Sequence, residues 1–291
     1  MLWKRKLFQL QRGLQKHLSA LRDGLTILIP FTVIGGISLM IANPPVDLEV
    51  MKPTNFFFQF MIMWKNWATD WATLLTIPFH LTIGIISVYV VLGISYRFSK
   101  YYKMEALPNS LTALFVFLCV AGVPQSINEG SFIDVSGLGA SSMFAAIIIA
   151  LLVIEINHWM IIKNLKISMP KGVPPMVAGP FEVLLPLVVN TILFIVLDQV
   201  IFMITGSGLT NLVFTIFSPL ISATASLPSM LFIVVLTVVF WFFGIHGDNM
   251  VSAITTPIFT GNLVANLDAY NAGKDIPNII AGNFTFIFGL A

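Results

Sequence analysis

The chain has 291 residues, of which 57% are hydrophobic and only 10% are charged, and its net charge is +2. Soluble domains usually carry about 25% charged residues, so this composition is typical of a membrane protein and excludes a soluble core enzyme. The small and scattered positive charge also excludes a nucleic-acid partner.

The first 24 residues are basic and amphipathic. Five leucines recur at helical spacing between Lys, Arg and Gln side chains: Leu7, Leu10, Leu14, Leu18 and Leu21. This pattern predicts a cytoplasmic helix that lies on the membrane surface. The basic stretch is too long for a cleavable signal peptide, and no small-residue cleavage site follows the first apolar run.

Apolar runs long enough to cross a bilayer follow, since a spanning helix needs about 20 mostly apolar residues. Six spans are predicted, at 25–42, 74–96, 106–122, 141–162, 181–204 and 228–245, with a seventh candidate starting near Pro277. The third is short for a spanning helix. We therefore predict an all-α, polytopic membrane protein with six or seven transmembrane helices, a re-entrant hairpin and amphipathic interfacial helices.

Basic residues indicate the orientation of these spans. Twelve of the fifteen Lys and Arg residues fall on one side if six spans alternate: Lys4, Arg5, Lys6, Arg12, Lys16, Arg22, Arg97, Lys100, Lys103, Lys163, Lys166 and Lys171. The loops 123–140 and 205–227 contain neither Lys nor Arg. Because positive residues are retained in the cytoplasm, the N-terminus and the basic loops are predicted to be cytoplasmic.

A polar opening at the end of the sixth span is the candidate functional site. The run from Pro228 to Ile245 has no charged residue, and it leads directly into His246 between Gly244 and Gly247. An ionisable side chain at membrane depth costs at least about 2.5 kcal/mol and tends to mark function. The alternative is a core histidine whose ring nitrogens bond to backbone. The flanking glycines let other groups approach closely.

Four further residues are candidates for the same site. Asp248 and Asn249 could bind a ligand or cap the next helix. Trp241 could stack on a ligand, although packing or interfacial anchoring is the commoner role of such an aromatic residue. Arg97 could reach a substrate path or act only as a positive anchor at the cytoplasmic surface.

Other polar residues lie in or near the apolar runs. Glu155 and His158 are spaced to pair on one face of the fourth span, and Asp198 could serve as an ionic partner or a proton route. Glu182 is predicted to be structural. The segment 261–273 is too short and too polar to span, so it is predicted to be the return arm and tip of a re-entrant element. If so, cysteine variants of Asn262 or Asn266 are expected to be protected by a bound sugar.

Several short motifs, in order along the chain, resemble one transporter family. They are Leu21-Arg22-Asp23-Gly24 before Ile29-Pro30 and Gly35-Gly36, the stretch Pro170 to Pro175, Phe181-Glu182-Val183-Leu184-Leu185-Pro186, Phe243-Gly244-Ile245-His246-Gly247, Pro257, Asn266 and Ala272-Gly273-Lys274-Asp275-Ile276-Pro277. With them the chain resembles the membrane-spanning IIC component of the bacterial sugar phosphotransferase system, in its lactose, cellobiose and chitobiose branch.

The resemblance implies a function and a set of partners. Such proteins take up a disaccharide or β-glucoside, and a cytoplasmic IIB protein phosphorylates the sugar from a phosphocysteine. The histidine matching His246 contacts the sugar in a re-entrant hairpin, and it could also orient the reacting hydroxyl or remove its proton. The implied location is the bacterial plasma membrane, as a homodimer. No cofactor or metal is implied, and the single cysteine, Cys119, excludes a disulfide framework and a cysteine metal cluster.

The resemblance also divides the chain into domains. They are a cytoplasmic amphipathic segment (1–24), a dimerising scaffold domain (25–205), an amphipathic connector (206–227) and a partial transport domain (228–291). The Asn-Glu-Pro motif whose glutamate helps to bind sugar in the family does not occur in this chain. We therefore expect either a fragment or a truncated member that does not transport alone.

Three other functions compete with this interpretation. Broken helices at the bilayer midplane also mark ion- or proton-coupled carriers, with His246 and Asp248 as a relay. A non-transporting scaffold subunit is a further alternative. A membrane-embedded enzyme ranks last, because the chain has no phosphate-binding glycine loop, nucleophile elbow or metal spacing.

Overall fold

The computed structural model describes residues 17, 19–46, 48, 51–127, 130–170, 172–223, 226–242 and 247–282. Most of the predicted cytoplasmic segment 1–24 lies outside these residues. The described part is mostly helical, in agreement with the predicted fold class. A small exception is the loop after the third predicted span, where β1 (Pro124–Ile127) pairs antiparallel with β2 (Gly130–Ile133).

The helices follow one another with short connections. Residues 19–25 are helical and continue through a 3₁₀ turn, Thr26–Leu28, into α1. The helices are α1 (Ile29–Ala42), α2 (Phe56–Asp70), α3 (Ala72–Leu75), α4 (Ile77–His80), α5 (Ile86–Tyr101), α6 (Ala106–Ala121), α7 (Met143–Ile162), α8 (Pro175–Glu182), α9 (Leu184–Thr205), α10 (Leu209–Ala223), α11 (Leu227–Phe242) and α12 (Gly247–Asn271). Further 3₁₀ turns cover Ile83–Ile85, Val135–Leu138 and Ala140–Ser142.

Four helical stretches of the described chain are long and apolar enough to cross a membrane: Ser19–Ala42, Ala72–Tyr101, Ala140–Ile162 and Ala178–Thr205. They match the first, second, fourth and fifth predicted spans. The helices α6 and α11, at the third and sixth predicted spans, have only 16 residues each. Pro277 begins no helix within the described residues, because the chain is irregular from there to Gly282. The total number of spans stays a prediction.

The second span is broken, although its hydropathy predicts one continuous helix. The chain passes from α3 through α4 and the turn Ile83–Ile85 before α5 begins. Side-chain hydroxyls satisfy the carbonyls that the break releases: Tyr89 donates to the Leu81 oxygen at 2.8 Å, Thr82 donates to the Pro78 oxygen, and Ser38 donates to the Leu75 oxygen. Irregular backbone is tolerated at membrane depth because its polar groups find such partners.

Helix α2 was not among the predicted elements. The Asn55 side chain accepts a hydrogen bond from the Phe58 amide at 2.9 Å and so caps the helix. The Trp64 indole donates to the Ile41 oxygen at 3.0 Å and ties α2 to the end of α1. The exposed side of α2 carries Phe56 and Trp67. It is therefore an additional amphipathic helix that follows the C-terminal end of the first span.

The core lies where α5, α6 and α7 pack together. Its fully buried side chains include Val90, Ile94, Val116, Phe117 and Val153. By contrast, the span Ala178–Thr205 is largely exposed, and only 11% of its most apolar 18 residues are buried within the chain. The outward side of α9 is therefore open to lipid or to another protein.

Three asparagines cross this apolar core and join α6, α7 and α9. Asn157 donates to the Asn109 side-chain oxygen at 2.8 Å, and Asn190 donates to the Asn157 side-chain oxygen, also at 2.8 Å. All three are at most 1% exposed. Asn109 also donates to the Glu105 carbonyl, and Asn190 to the Pro186 carbonyl, each at 2.8 Å. These bonds form a polar ladder between three helices, here called the asparagine ladder.

Candidate functional site

The predicted opening lies between α11, which ends at Phe242, and α12, which begins at Gly247. Gly244 and His246 lie outside the described residues. Trp241 is in the last turn of α11, and Gly247, Asp248 and Asn249 form the first turn of α12. The chain therefore has one helix on each side of the predicted site.

Helix α12 continues much farther than predicted. We predicted that residues 261–273 form a return arm and tip, but α12 is unbroken from Gly247 to Asn271. The prediction was wrong because the polar residues of this stretch do not disrupt the helix. A side chain at Gly261 would meet nothing within 4 Å, and the amides of Asn262 and Asn266 bond to chain outside the helix.

The observed return arm is residues 274–282, which lie along α12. The Asn266 amide donates to the Asn278 oxygen at 2.7 Å and accepts from the Asn278 amide at 2.9 Å. Asn262, 3% exposed, donates to the Ile280 oxygen at 2.8 Å. Backbone contact closes the series, because the Gly282 amide donates to the Phe259 oxygen at 2.9 Å. The polar ends of Asn262 and Asn266 are thus engaged with the arm.

Helix α12 also packs against the break in the second span. Val264 and Leu267 contact a buried cluster of Leu39 from α1, Phe79 from α4 and Ile83 from the following turn. The sequence contains no local sign of this contact, since its two sides are almost 200 residues apart. The helix that starts beside the candidate site is therefore braced on the irregular part of the second span.

Arg97 lies near the C-terminal end of α5 and is exposed. Its neighbour Lys100 places its ammonium group 4.8 Å from the centre of the Tyr96 ring. Exposure beside another cation at the end of a span favours the positive-anchor interpretation of Arg97 over a place in the substrate path.

Glu155 and His158, which the spacing places on one face of the fourth span, both contact Tyr102. The Tyr102 hydroxyl donates to Glu155 Oε1 at 2.6 Å, and the His158 ring stacks on the Tyr102 ring with centroids 3.7 Å apart. Glu155 Oε1 also lies 2.8 Å from His17 Nε2. Burial and, next, the bond to Glu155 raise the pKa of Tyr102 above its ordinary value, so its hydroxyl remains a donor. The cluster ties the N-terminal segment to α5 and α7.

Asp198 and Glu182, the other two acidic residues considered in the sequence, make structural contacts. Asp198 Oδ1 accepts a hydrogen bond from the Leu209 amide at 2.7 Å and thereby caps the start of α10. This contact gives Asp198 a local structural role, and a proton route through it stays a prediction. Glu182 pairs with the Lys166 ammonium group at 2.9 Å, in agreement with its predicted structural role.

The chain is similar to known proteins over most of its length. The family model described as "Phosphotransferase system, EIIC" matches residues 22–291. The oligo-beta-mannoside-specific EIIC component of Bacillus subtilis is 32% identical over 278 residues, which cover 94% of this chain and 60% of that protein. The cellobiose-specific EIIC component of Geobacillus stearothermophilus is 27% identical over 282 residues, with coverages of 93% and 60%.

A solved structure has the same fold. The transporter ChbC, the IIC component of the N,N'-diacetylchitobiose-specific phosphotransferase system, superposes with a TM-score of 0.79 at 29% identity, over 98% of this chain and 66% of that one. The chain spans about 60% of the length of these curated relatives. The match over nearly the whole chain shows that it belongs to the EIIC family of the phosphotransferase system.

Proposed function

We propose that this chain contains the scaffold half and the first part of the sugar site of a phosphotransferase-system permease. The observation that carries the proposal is the family match over residues 22–291, together with the ChbC-like fold. The substrate class is a disaccharide or β-glucoside of the cellobiose, lactose or chitobiose type, as the names of the matched relatives suggest. The sugar would be phosphorylated by a cytoplasmic IIB protein.

His246 is the proposed centre of the sugar site. A neutral imidazole accepts a hydrogen bond at one ring nitrogen and donates at the other, which suits a sugar hydroxyl. It directly precedes α12 in the sequence. A neutral His246 could orient the hydroxyl or accept its proton during phosphoryl transfer. Gly244, Gly247, Asp248, Asn249 and Trp241 complete the proposed set.

The proposed domain division is 1–24, 25–205, 206–227 and 228–291. Two contacts support the proposed connector as an element fixed to the scaffold. Asp198 caps the start of α10, and the Phe217 ring stacks on the Phe144 ring with centroids 4.3 Å apart. The proposed transport domain, 228–291, would therefore follow a helix, α10, that is packed against the scaffold domain.

The proposal includes a homodimer in the bacterial plasma membrane with a cytoplasmic N-terminus. The distribution of basic residues supports this orientation. The outward side of α9 gives the scaffold domain apolar surface on which a second copy could pack. A molar mass measured in detergent by light scattering is expected to equal two chains, and a monomer at all protein concentrations would contradict the dimer.

Replacement of His246 by alanine is expected to weaken sugar binding about fivefold or more, since a lost hydrogen-bonding partner commonly costs about 1 kcal/mol or more. The measurement is equilibrium binding of cellobiose, lactose and diacetylchitobiose to the purified chain. The matched control is His80→Ala, because His80 is exposed on α4. Equal affinity of His246→Ala and the parent would refute the role of His246. A folded parent that binds none of the three sugars would refute a usable site in this chain.

A further inference from the structure

Helix α2 has three sides of different chemistry. At about 100° per residue, its side chains fall into three arcs around the helix axis. One arc faces the rest of the protein and contains Met61, Trp64 and Ala68. The polar arc lies on the opposite side, is exposed to solvent, and contains Gln59, Asn66 and Asp70. The third arc lies between these two and is neither packed nor polar.

This third arc is apolar and exposed. Its side chains range from 45% to 84% exposed and fall within about 60° of one another around the helix. They are Phe56, Phe60, Met63 and Trp67, here called the apolar arc of α2. Apolar side chains scattered singly over a surface are ordinary, but a contiguous exposed patch marks an interaction site. The apolar arc therefore needs a neighbour outside the described chain.

The position of α2 indicates what this neighbour is. The Trp64 indole donates to the Ile41 oxygen at 3.0 Å, which holds α2 beside the last turn of the first span. The second span begins at Ala72, shortly after the end of α2. Large apolar side chains are exposed at both junctions, since Met40 is 60% and Leu74 is 57% exposed. The helix thus lies at the level where two spans end, which is the boundary between lipid chains and head groups.

We propose that α2 lies flat in the surface of the bilayer, with its apolar arc inserted among the lipid chains, at the end of the second span opposite Lys100. A helix in this place beside a bundle meets protein, lipid and water in turn around its axis, which is the order of the three arcs. Aromatic rings such as those of Phe60 and Trp67 are favoured at this depth. Lys65, the only cation of α2, lies outside the apolar arc, so insertion depends on apolar area and not on anionic lipid.

Two pairs of neighbouring residues test the insertion, because each pair has one member in the polar arc and one in the apolar arc. They are Gln59 with Phe60 and Asn66 with Trp67, all exposed. Each is replaced singly by cysteine in a Cys119→Ser background, labelled with a nitroxide and reconstituted in phosphatidylethanolamine vesicles that contain phosphatidylglycerol. The ratio of collisions with oxygen to collisions with a water-soluble nickel complex is expected to be at least about three times higher at Phe60→Cys and Trp67→Cys than at their neighbours.

A second measurement tests the side of the membrane. Asn66 and Lys100 are both exposed, and Lys100 lies at the far end of the span Ala72–Tyr101. In intact spheroplasts, a membrane-impermeant maleimide is expected to label Asn66→Cys and to label Lys100→Cys only after permeabilisation. Labelling of both thiols before permeabilisation, or of both only after it, would overturn the placement of α2 opposite Lys100. Unchanged melting temperatures show that the variants are folded.

The collision data separate lipid from its competitors. Equally high access of the nickel complex at all four positions would show that α2 lies in water, and would overturn the proposal. Low access of both reagents at Phe60→Cys and Trp67→Cys would show that protein, such as a second copy of the chain, covers the apolar arc, and would also overturn it. The ratios are expected to be the same at low and high phosphatidylglycerol content. Insertion only at high content would show that charge, not apolar surface, holds the helix.

Discussion

Alanine at Gly93 is expected to prevent accumulation of the folded protein in the membrane, while alanine at Gly36 leaves accumulation unchanged. A methyl group on Gly93 would lie 2.6 Å from the Gly24 carbonyl oxygen. The contact is reciprocal, since a methyl group on Gly24 would lie 2.6 Å from the Ile94 Cα. Both obstacles are backbone atoms, which cannot rotate away as a side chain does. Overpacking of a tight core costs about 1–3 kcal/mol and sometimes more, and this site has no soft neighbour to absorb it.

Gly36 is the matched control because it lies in α1 with nothing within 4 Å of the methyl group it would receive. There alanine removes the entropic cost of a helical glycine, about 0.5–1 kcal/mol, and is expected to be neutral or slightly stabilising. Fluorescence-detected chromatography of tagged variants measures the amount and homogeneity of folded protein. A normal elution profile and melting temperature for Gly93→Ala would contradict the close contact between the start of the first span and α5.

Asn157→Ala is expected to destabilise the protein by about 2 kcal/mol. The substitution removes two hydrogen bonds of the asparagine ladder, from Asn157 to Asn109 and from Asn190 to Asn157. Interhelical hydrogen bonds in membranes contribute about 0.6 kcal/mol on average and up to about 1.7. Loss of two bonds would therefore cost about 1–3 kcal/mol, and the Asn109 oxygen left unpaired in the core raises the expected value from the lower end of this range to about 2 kcal/mol.

Thermal unfolding in detergent measures this loss, expected as a fall in melting temperature of about 4–8 °C for a chain of this size. Asn211→Ala removes the same group from an exposed site on α10 and should leave the melting temperature unchanged. A double-mutant cycle between Asn157→Ala and Asn190→Ala should give a coupling energy of at least about 0.5 kcal/mol, since the two side chains bond directly. Strict additivity of the two substitutions would show that the ladder does not form.

Hydropathy was sufficient to locate the apolar helices, because the cost of unpaired backbone in lipid makes any long apolar run helical. The charge pattern predicted which ends of the spans are cytoplasmic for a similarly general reason. The position of the candidate site followed from one local contrast, a charge-free run that ends at a histidine between glycines. The family resemblance supplied the substrate class, which neither hydropathy nor spacing contains.

Other features depend on partners that are distant in sequence. Asn157 bonds to residues 48 and 33 positions away, and nothing near it distinguishes a ladder from an isolated polar residue. The capping role of Asp198 depends on the Leu209 amide, which lies eleven residues farther along the chain. The break in the second span has Pro78 as a sign, yet its stability depends on hydroxyls such as that of Ser38 on another helix.

Helix α12 shows the same division within a single element. The polar composition of residues 261–273 suggested a loop, since asparagine competes with helical backbone when it has no other partner. The return arm supplies that partner for Asn262 and Asn266, so the helix continues to Asn271. Periodicity and hydropathy describe how a segment interacts with solvent and lipid. The pairing of buried polar groups and the close approach of glycines depend on which segments meet in three dimensions.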